Sequence, residues 1–372
     1  MPDEHPPDAS QVDLEYMRRA IELARLGWGQ TAPNPMVGAV VVREGAIVGE
    51  GFHARYGEEH AEVVALRAAG ARARNATLYV TLEPCNHHGK TPPCTDAVIS
   101  AGVARVVAAT RDPNPVAGGG SERLQRAGIQ VDVGVEAGSA RELNAPFFHA
   151  ASGAPRPWVV LKLATSIDGA IADSARVRGT RGHWLTGEEA RRHVHWLRAG
   201  SDAIAVGVGT VIADDPMLTV REPPAPRVAP RRVVFDSRLR IPVDAAVIRT
   251  ACDVGTIVIA RECDRSRRDA LCTAGADVRV HETLDDALRA LASDGVRSLL
   301  VEGGARLAGS FIEQGVVNRV IIFQAPVVLG EGALNAFAHV SATTAASLAR
   351  LPIVERSAFG DDLMTIYAFG DR

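Results

Sequence analysis

The stretch TLEPCNHHGKTPPC, residues 81–94, puts two cysteines, two histidines and a lysine into one loop of a chain with only five cysteines. Upstream, HAEV at 60–63 sets His60 and Glu62 at the start of a helix-like run. Clustered cysteines form a disulfide or bind a metal, and the redox compartment decides which. The first residues, MPDEHPPDAS, are acidic and proline-rich without an apolar run, so they do not read as a secretory signal. No window approaches the ~18 apolar residues of a membrane span. A cytoplasmic setting is expected, with thiols reduced and metal binding favoured. The remaining cysteines, Cys252, Cys263 and Cys272, are scattered and read as incidental thiols.

A catalytic zinc takes three protein ligands and keeps a fourth position for water. His60, Cys85 and Cys94 supply such a set. Glu62, two residues past a ligand in the first helical turn, can reach that water without binding the metal. Zinc deaminases carry H-x-E followed by P-C-x-x-C, with the glutamate moving protons. HAE and EPC match this pattern, but eight residues instead of two separate Cys85 from Cys94. Cys94 still opens the next helix, where the N-terminal dipole favours a thiolate. The rival is a structural site closed by His87 or His88 as fourth ligand; it gives Glu62 no task.

At 372 residues, 47% of them hydrophobic and 23% charged, the chain can form two ordinary domains. Residues 1–150 hold 14 basic against 18 acidic side chains, and the remainder 27 against 26. Neither half has the basic excess of a nucleic-acid binder, so no nucleic-acid partner is expected. Of the 41 basic residues only Lys90 and Lys162 are lysines. An ammonium on a flexible stem does what a guanidinium fork cannot, which marks both as candidates for specific tasks.

The pattern along the chain is α/β. DLEYMRRAIELARLGWG predicts a helix capped by Asp13 and stopped at Gly27, and MVGAVVVREGAIVGEGF a hairpin turning at Glu44-Gly45. Helices are expected from His60 to Ala69 and from Thr95 to Ala101, with strands at ATLYVTL, ARVVAAT and IQVDVGV. The boundaries read from composition are a tail at 1–12, a first domain at 13–150, a linker at 151–157 and a second domain at 158–372. In the second domain WVVLKLA, AIAVGV, RRVVFD, GTIVIA, VRSLLVEGG, RVIIFQA and LMTIYAF read as strands, with helices at 187–199 and from near Ala305. There is no G-x-G-x-x-G after its first strand, so a Rossmann fold is not expected. The turn Glu302-Gly303-Gly304 into a helix could instead offer backbone N–H groups to a phosphate.

These motifs resemble the bifunctional riboflavin-biosynthesis deaminase–reductases. TAPNPMVGAVVV, HAEV and TLEPCNHHGKTPPC look like the deaminase half. The long spacer containing His, Gly, Lys and Thr-Pro-Pro sets that family apart from cytidine, guanine and tRNA-adenosine deaminases. LKLATSIDGAIA, WLTGEEARRHVHWLRAGSDAIAVGVGTVIADDPMLTVR and VEGGARLAGSFIEQGVVNR look like the reductase half. The resemblance spans roughly residues 13–330. It implies a cytidine-deaminase-like α/β/α domain followed by a dihydrofolate-reductase-like α/β domain, with Zn2+ and NADPH as cofactors.

The implied substrate is a diaminopyrimidinone bearing a ribosylamino 5′-phosphate, a small molecule. By resemblance Asn34 contacts the pyrimidine, and His53, His87 and Lys90 face the ribose phosphate. Glu62 would protonate the ring nitrogen and then the leaving ammonia. Ala164, Trp184, Thr210, Asp214, Ser237 and the run Gly304, Ala305, Arg306, Leu307, Ala308, Gly309, Ser310 would hold NADPH. Gly182, Arg198, Leu218, Arg221 and Glu302 would hold the substrate. An unpaired lysine in an apolar strand is costly, so Lys162 needs a partner such as Asp168 or Glu302. Lys162 and Glu302 are expected to flank the sugar C1′ as hydride arrives. Two sites sharing an intermediate also invite domain packing or a homo-oligomer.

Overall fold

The computed structural model describes residues 10–89, 92–173, 184–341 and 350–369. The chain divides between Ala154 and Pro155 into two compact units.

In the first unit, β1 (Gly38–Arg43) and β2 (Ala46–Phe52) pair antiparallel through Glu44 and Gly45, whose φ angles are 52° and 78°. A two-residue type I′ turn needs both positive. β1 also pairs antiparallel with β3 (Thr77–Val80), and β4 (Arg105–Ala108) and β5 (Gln130–Val133) continue parallel to it, in the order β2-β1-β3-β4-β5. Successive side chains leave a strand on opposite faces. Ala39, Val41, Leu78, Val80 and Val106 meet Ala65, Leu66 and Val98 of the helices Ala61–Ala69 and Cys94–Ala101. Val40, Val42, Tyr79 and Val107 meet Met17, Ala20 and Ile21 of the helix Gln11–Arg25. The result is a helix–sheet–helix sandwich.

The helix that follows His60 lies directly on β2. A Cβ on Gly49 would stand 2.3 Å from the Ala65 carbonyl oxygen, and one on Gly51 would stand 2.5 Å from that of Ala61. Only glycine permits this approach, and it fixes the depth at which the ligand-bearing end of the helix meets the sheet.

The first helix corrects the predicted cap. Ser10, not Asp13, is the N-cap, accepting the Asp13 N–H at 3.2 Å. The Asp13 carboxylate turns inward, 6% exposed, and accepts from Tyr79 Oη at 2.6 Å and from both terminal nitrogens of Arg105 at 2.9 and 3.1 Å. The sequence suggested a cap because aspartate suits one locally; the tertiary partners Tyr79 and Arg105 override that preference. Arg105 holds the Asp13 carboxyl below its ordinary value. That stabilisation is present above the unfolded value and lost as pH falls through the folded one. Asp13→Ala should cost about 3 kcal/mol at neutral pH. In urea unfolding followed at pH 7 and near pH 3, the gap between variant and wild type should narrow on the acid side.

Two short helices were not foreseen, Ala137–Leu143 and Ala145–Ala151; the second runs into the stretch read as a linker.

In the second unit, β6 (Trp158–Thr165) is central. β7 (Ala170–Ala172) leaves it to form a two-stranded ribbon further on. β8 (Ala203–Gly207), β9 (Arg231–Phe235), β10 (Thr256–Ala260), β11 (Asp277–Val280), β12 (Ser298–Val301) and β13 (Arg319–Gln324) complete a parallel set. β14 (Leu334–Asn335) pairs with β7, and β15 (Ile353–Phe359) and β16 (Asp362–Ala368) form an antiparallel edge. The nine-stranded order is β11-β10-β9-β8-β12-β6-β13-β16-β15, with β16 antiparallel to β13. The strands read from sequence are present; β7, β11, β14 and β15 were not read. Ligands of open parallel sheets sit beyond the carboxyl ends of the strands, which here carry Ser237, Glu302 and Gly304. Among the described residues no helix is long and apolar enough to cross a membrane.

Candidate active sites

His60 is the N-cap of the helix Ala61–Ala69, Cys94 the first residue of the helix Cys94–Ala101, and Cys85 lies in the loop after β3. Their ligand atoms all lie within 4.8 Å of one another, and they form a three-donor group among the described residues. His60 Nδ1 is 3.1 Å from Cys94 Sγ and 3.6 Å from Cys85 Sγ, and the Cys94 N–H donates to Cys85 Sγ at 3.3 Å. Hydrogen bonding with Cys94, then with His60, pushes the Cys85 thiol down, while its bond with Cys85 and burial push Cys94 up. One imidazole and two sulfurs at these spacings fit a zinc ion with an open position.

Glu62 is 3% exposed and is not one of the three donors. Burial raises its carboxyl to about 7. It lines a cavity of ≈ 230 Å³ together with His60, Cys85, Asn34, His53 and His87. The sequence therefore found the titratable residues nearest the metal donors, and part of the wall. His87 stays outside the donor group, and its buried Nδ1 has no hydrogen-bond partner among the described residues. Lys90 lies outside the described residues.

His53 lines the same cavity. Its Nδ1 is 3.1 Å from the Glu59 carbonyl oxygen, to which it donates, and Asn34 Nδ2 is 3.4 Å from Nε2. Burial pushes its pKa down. With Nδ1 donating to that carbonyl, Nε2 faces the Asn34 amide and the cavity.

The sequence missed Asp112 and Asn114, which also line the cavity. They come from RDPNP at 111–115, whose proline-flanked polar pair was the available signal. Glu83 holds that segment: its carboxylate accepts the Asp112 N–H at 3.1 Å and the Ser121 N–H at 2.8 Å. The unforeseen pair of short helices contributes too. Asn144 accepts the Met36 N–H at 2.8 Å and donates to the Met36 carbonyl at 2.9 Å, pinning the segment after Asn34, and Phe147 lines the cavity.

In the second unit, Glu302 directly follows β12 and its carboxylate is gripped by Arg198, Nε to Oε1 at 2.5 Å and Nη2 to Oε2 at 3.0 Å. Arg198 is thus an ion-pair partner, beyond any service to the end of its helix, Glu188–Ala199. Its Nη1 also donates to the Thr219 carbonyl at 3.0 Å. Lys162, partly buried on β6, has its Nζ 5.8 Å from the centre of the Phe323 ring. Burial pushes its ammonium down, and Glu302 opposes that. Asp168, the other suggested partner, instead accepts the Leu329 and Gly330 N–H groups at 3.2 and 2.8 Å. Leu218 has φ 50° and a 3% exposed side chain packed with Val211, Leu239 and Ile241, which leaves its backbone for any ligand contact. Arg221 is exposed, and its N–H donates to His195 Nδ1 at 3.2 Å. Gly182 lies outside the described residues.

Among the residues expected around NADPH, Gly304 caps the helix Ala305–Glu313, and among the described residues no side chain satisfies its first turn. Unpaired N–H groups at a helix start suit a phosphate. Thr210 Oγ1 lies 3.6 Å from where a Gly304 Cβ would stand, so these two adjoin. Arg306 is exposed beside them. Ala305 and Ala308 are core residues, Leu307 packs against the core, and a Cβ on Gly309 would meet the Ala338 carbonyl oxygen at 1.8 Å. Ser310 Oγ donates to the Arg306 carbonyl at 2.9 Å. The rest of this run seats the helix, and its first turn is the part left open. Trp184 is 78% exposed with Arg191 over its ring, so packing does not account for it. Ser237 is exposed after β9, Asp214 ends the helix Val208–Asp214, and Ala164 is partly buried on β6.

A three-donor metal group beside a buried glutamate, in a chain whose second unit ends its strands in a phosphate-ready turn and a Lys–Glu–Arg cluster, defines a zinc deaminase fused to a nicotinamide-dependent reductase. Comparison with known proteins agrees. The model for the RibD C-terminal domain matches residues 157–365, and that for the cytidine and deoxycytidylate deaminase zinc-binding region matches 10–110. The chain belongs to the RibD family. It is 46% identical over 325 residues to the riboflavin biosynthesis protein RibD of Aquifex aeolicus, covering 87% of this chain and 89% of that one. With the Escherichia coli protein of the same name it shares 43% over 336 residues, 86% and 89% of the two chains. A solved structure of Acinetobacter baumannii RibD superposes with a TM-score of 0.81 at 36% identity, over 96% of this chain and 99% of that one. A deaminase/reductase structure from Thermotoga maritima gives 0.81 at 34%, with the same coverage. The chain is a deaminase and reductase of riboflavin biosynthesis, acts on small molecules, and uses Zn2+ and NADPH. A lone deaminase with an accessory second half is not favoured, since the reductase model spans that half.

Proposed function

We propose that the first unit hydrolytically deaminates a diaminopyrimidinone bearing a ribosylamino 5′-phosphate. The second unit then reduces the product, 5-amino-6-(5-phosphoribosylamino)uracil, to the ribitylamino phosphate. The observation that carries this reading is Glu62, a buried carboxyl near neutrality that shares a cavity with the metal donors without being one. The Thermotoga maritima relative, a diaminohydroxyphosphoribosylaminopyrimidine deaminase/5-amino-6-(5-phosphoribosylamino)uracil reductase, supports the choice of substrate.

His60, Cys85 and Cys94 would hold zinc, which would supply an activated water. Glu62 would take protons from the attacking water and relay one to the ring nitrogen and one to the amino group that leaves as ammonia. Asn34, in contact with His53, would bind the pyrimidine edge, and His53, His87 and Lys90 would face the ribose phosphate. In the second unit the first turn after Gly304, with Ala164, Trp184, Thr210, Asp214 and Ser237, would hold NADPH, which would supply hydride. Arg221 and Arg198 would hold the sugar phosphate, with Leu218, Gly182 and Glu302 also contacting the substrate. Lys162 polarises the C1′ carbonyl or imine as hydride arrives. The balanced charge of both halves favours a reading without a nucleic-acid partner. A cytosolic setting and a homo-oligomer complete the proposal.

The test follows ammonia and NADPH separately. Supplied with the diaminopyrimidinone, the enzyme should release ammonia and then oxidise NADPH in equal amount. Chelation of zinc should stop ammonia release and spare NADPH oxidation on the deaminated intermediate. Undiminished ammonia release from metal-free protein would remove the zinc reading, and NADPH oxidation ahead of deamination would reverse the order.

A further inference from the structure

The segment from Asp215 to Arg221 takes an unusual path, with positive φ at Asp215 (43°) and Leu218 (50°). Non-glycine residues hold such angles only where the surroundings over-determine them. Here four contacts do so in succession. Asp215 Oδ1 accepts the Ala246 N–H at 2.6 Å, and the Met217 carbonyl accepts Arg232 Nη1 at 3.3 Å. The Thr219 carbonyl accepts Arg198 Nη1 at 3.0 Å, and the Arg221 N–H donates to His195 Nδ1 at 3.2 Å. His195 and Arg198 lie one turn apart on the helix Glu188–Ala199. That helix therefore grips the segment twice, and the second grip falls on the residue proposed to take the substrate phosphate.

We infer that His195 is a positioning residue of the reductase: its Nδ1 lone pair fixes the Arg221 backbone so that the Arg221 side chain is presented to the phosphorylated sugar. The inference rests on the proposed role of Arg221. An imidazole accepts at Nδ1 only when that nitrogen carries no proton, so the grip needs the neutral ring. The charges facing it are Arg198 on its own helix, Arg221 and Glu222 on the gripped segment, and Glu302 after β12. Burial and the two arginines push its pKa below the ordinary histidine value, and the two glutamates oppose them. A lowered value means the grip is intact above the unfolded histidine range and is lost as pH falls through the folded value.

The experiment compares His195→Leu, His195→Asn and Arg221→Ala with wild type in the full-length enzyme. It measures KM and kcat for 5-amino-6-(5-phosphoribosylamino)uracil from pH 5 to 8, and NADPH affinity by fluorescence. His195→Leu should raise KM roughly three- to tenfold with kcat and NADPH affinity little changed. Asparagine offers an oxygen acceptor that does not titrate, so His195→Asn should restore most of the KM and flatten its acid-side rise relative to wild type. If Arg221→Ala raises KM but His195→Leu does not, His195 has no positioning role and the phosphate assignment stands. Should Arg221→Ala leave KM alone, the assignment itself fails and the inference falls with it. Identical acid-side profiles for wild type and His195→Asn would overturn the inference even if His195→Leu does not fold.

Discussion

Glu62→Gln lowers ammonia release by about 10²–10⁴-fold, the range for loss of a positioned general acid–base group. It leaves the oxidation of NADPH on the deaminated intermediate unchanged. Glutamine keeps the volume of a side chain that is 3% exposed, so the cavity wall survives, but an amide cannot carry a proton between water, ring nitrogen and ammonia. The variant should also retain wild-type zinc content, because Glu62 stands outside the donor group. Metal analysis and two separate assays on one preparation decide the matter. Full ammonia release by Glu62→Gln would return the zinc to a structural role, and loss of zinc would mean that Glu62 binds it.

The second large effect is expected at Lys162. Lys162→Arg keeps the charge yet should lower reductase turnover by about 10²–10³-fold, the typical cost of removing one donor aimed at developing charge. The reason is geometric. Arg198 already occupies both oxygens of Glu302, so a second planar guanidinium has no carboxylate fork left to meet. A bulkier group also has to enter a partly buried site beside the Phe323 ring. Ammonia release should be unaffected and NADPH binding within about twofold of wild type, which separates the effect from unfolding of the second unit. Unchanged turnover on the deaminated intermediate would take Lys162 out of the chemistry.

The zinc triad was legible in the sequence because few residue types bind zinc, and His60, Cys85 and Cys94 announce themselves by type. The hairpin at Glu44-Gly45 was legible for a similar reason, since its turn chemistry is local. What escaped were elements whose stability is tertiary. The helices Ala137–Leu143 and Ala145–Ala151 are seven residues each, and no side chain caps either among the described residues. β11 and β15 lie at the two edges of the larger sheet and carry exposed charged positions, so they lack an apolar run. The polar residues that were missed, Glu83, Asn144 and His195, work by holding backbone far away in the chain. No spacing rule reveals a bond from residue 195 to 221 or from 36 to 144. The same logic misassigned Asp13, whose partners Tyr79 and Arg105 are remote in sequence.

The contact of Gly49 and Gly51 with the helix Ala61–Ala69 has a consequence for how this enzyme can change. Backbone touches backbone there, so no side-chain repacking can absorb an added methyl group. Any replacement must lift the helix, and His60 moves with it while Cys85, in its loop, is under no such force. Two positions that meet neither substrate nor metal thus govern the bite of the chelate, and the permitted alphabet at each is a single letter. Variation that tunes metal affinity has to come from the loop side, where chain length and conformation are free to drift.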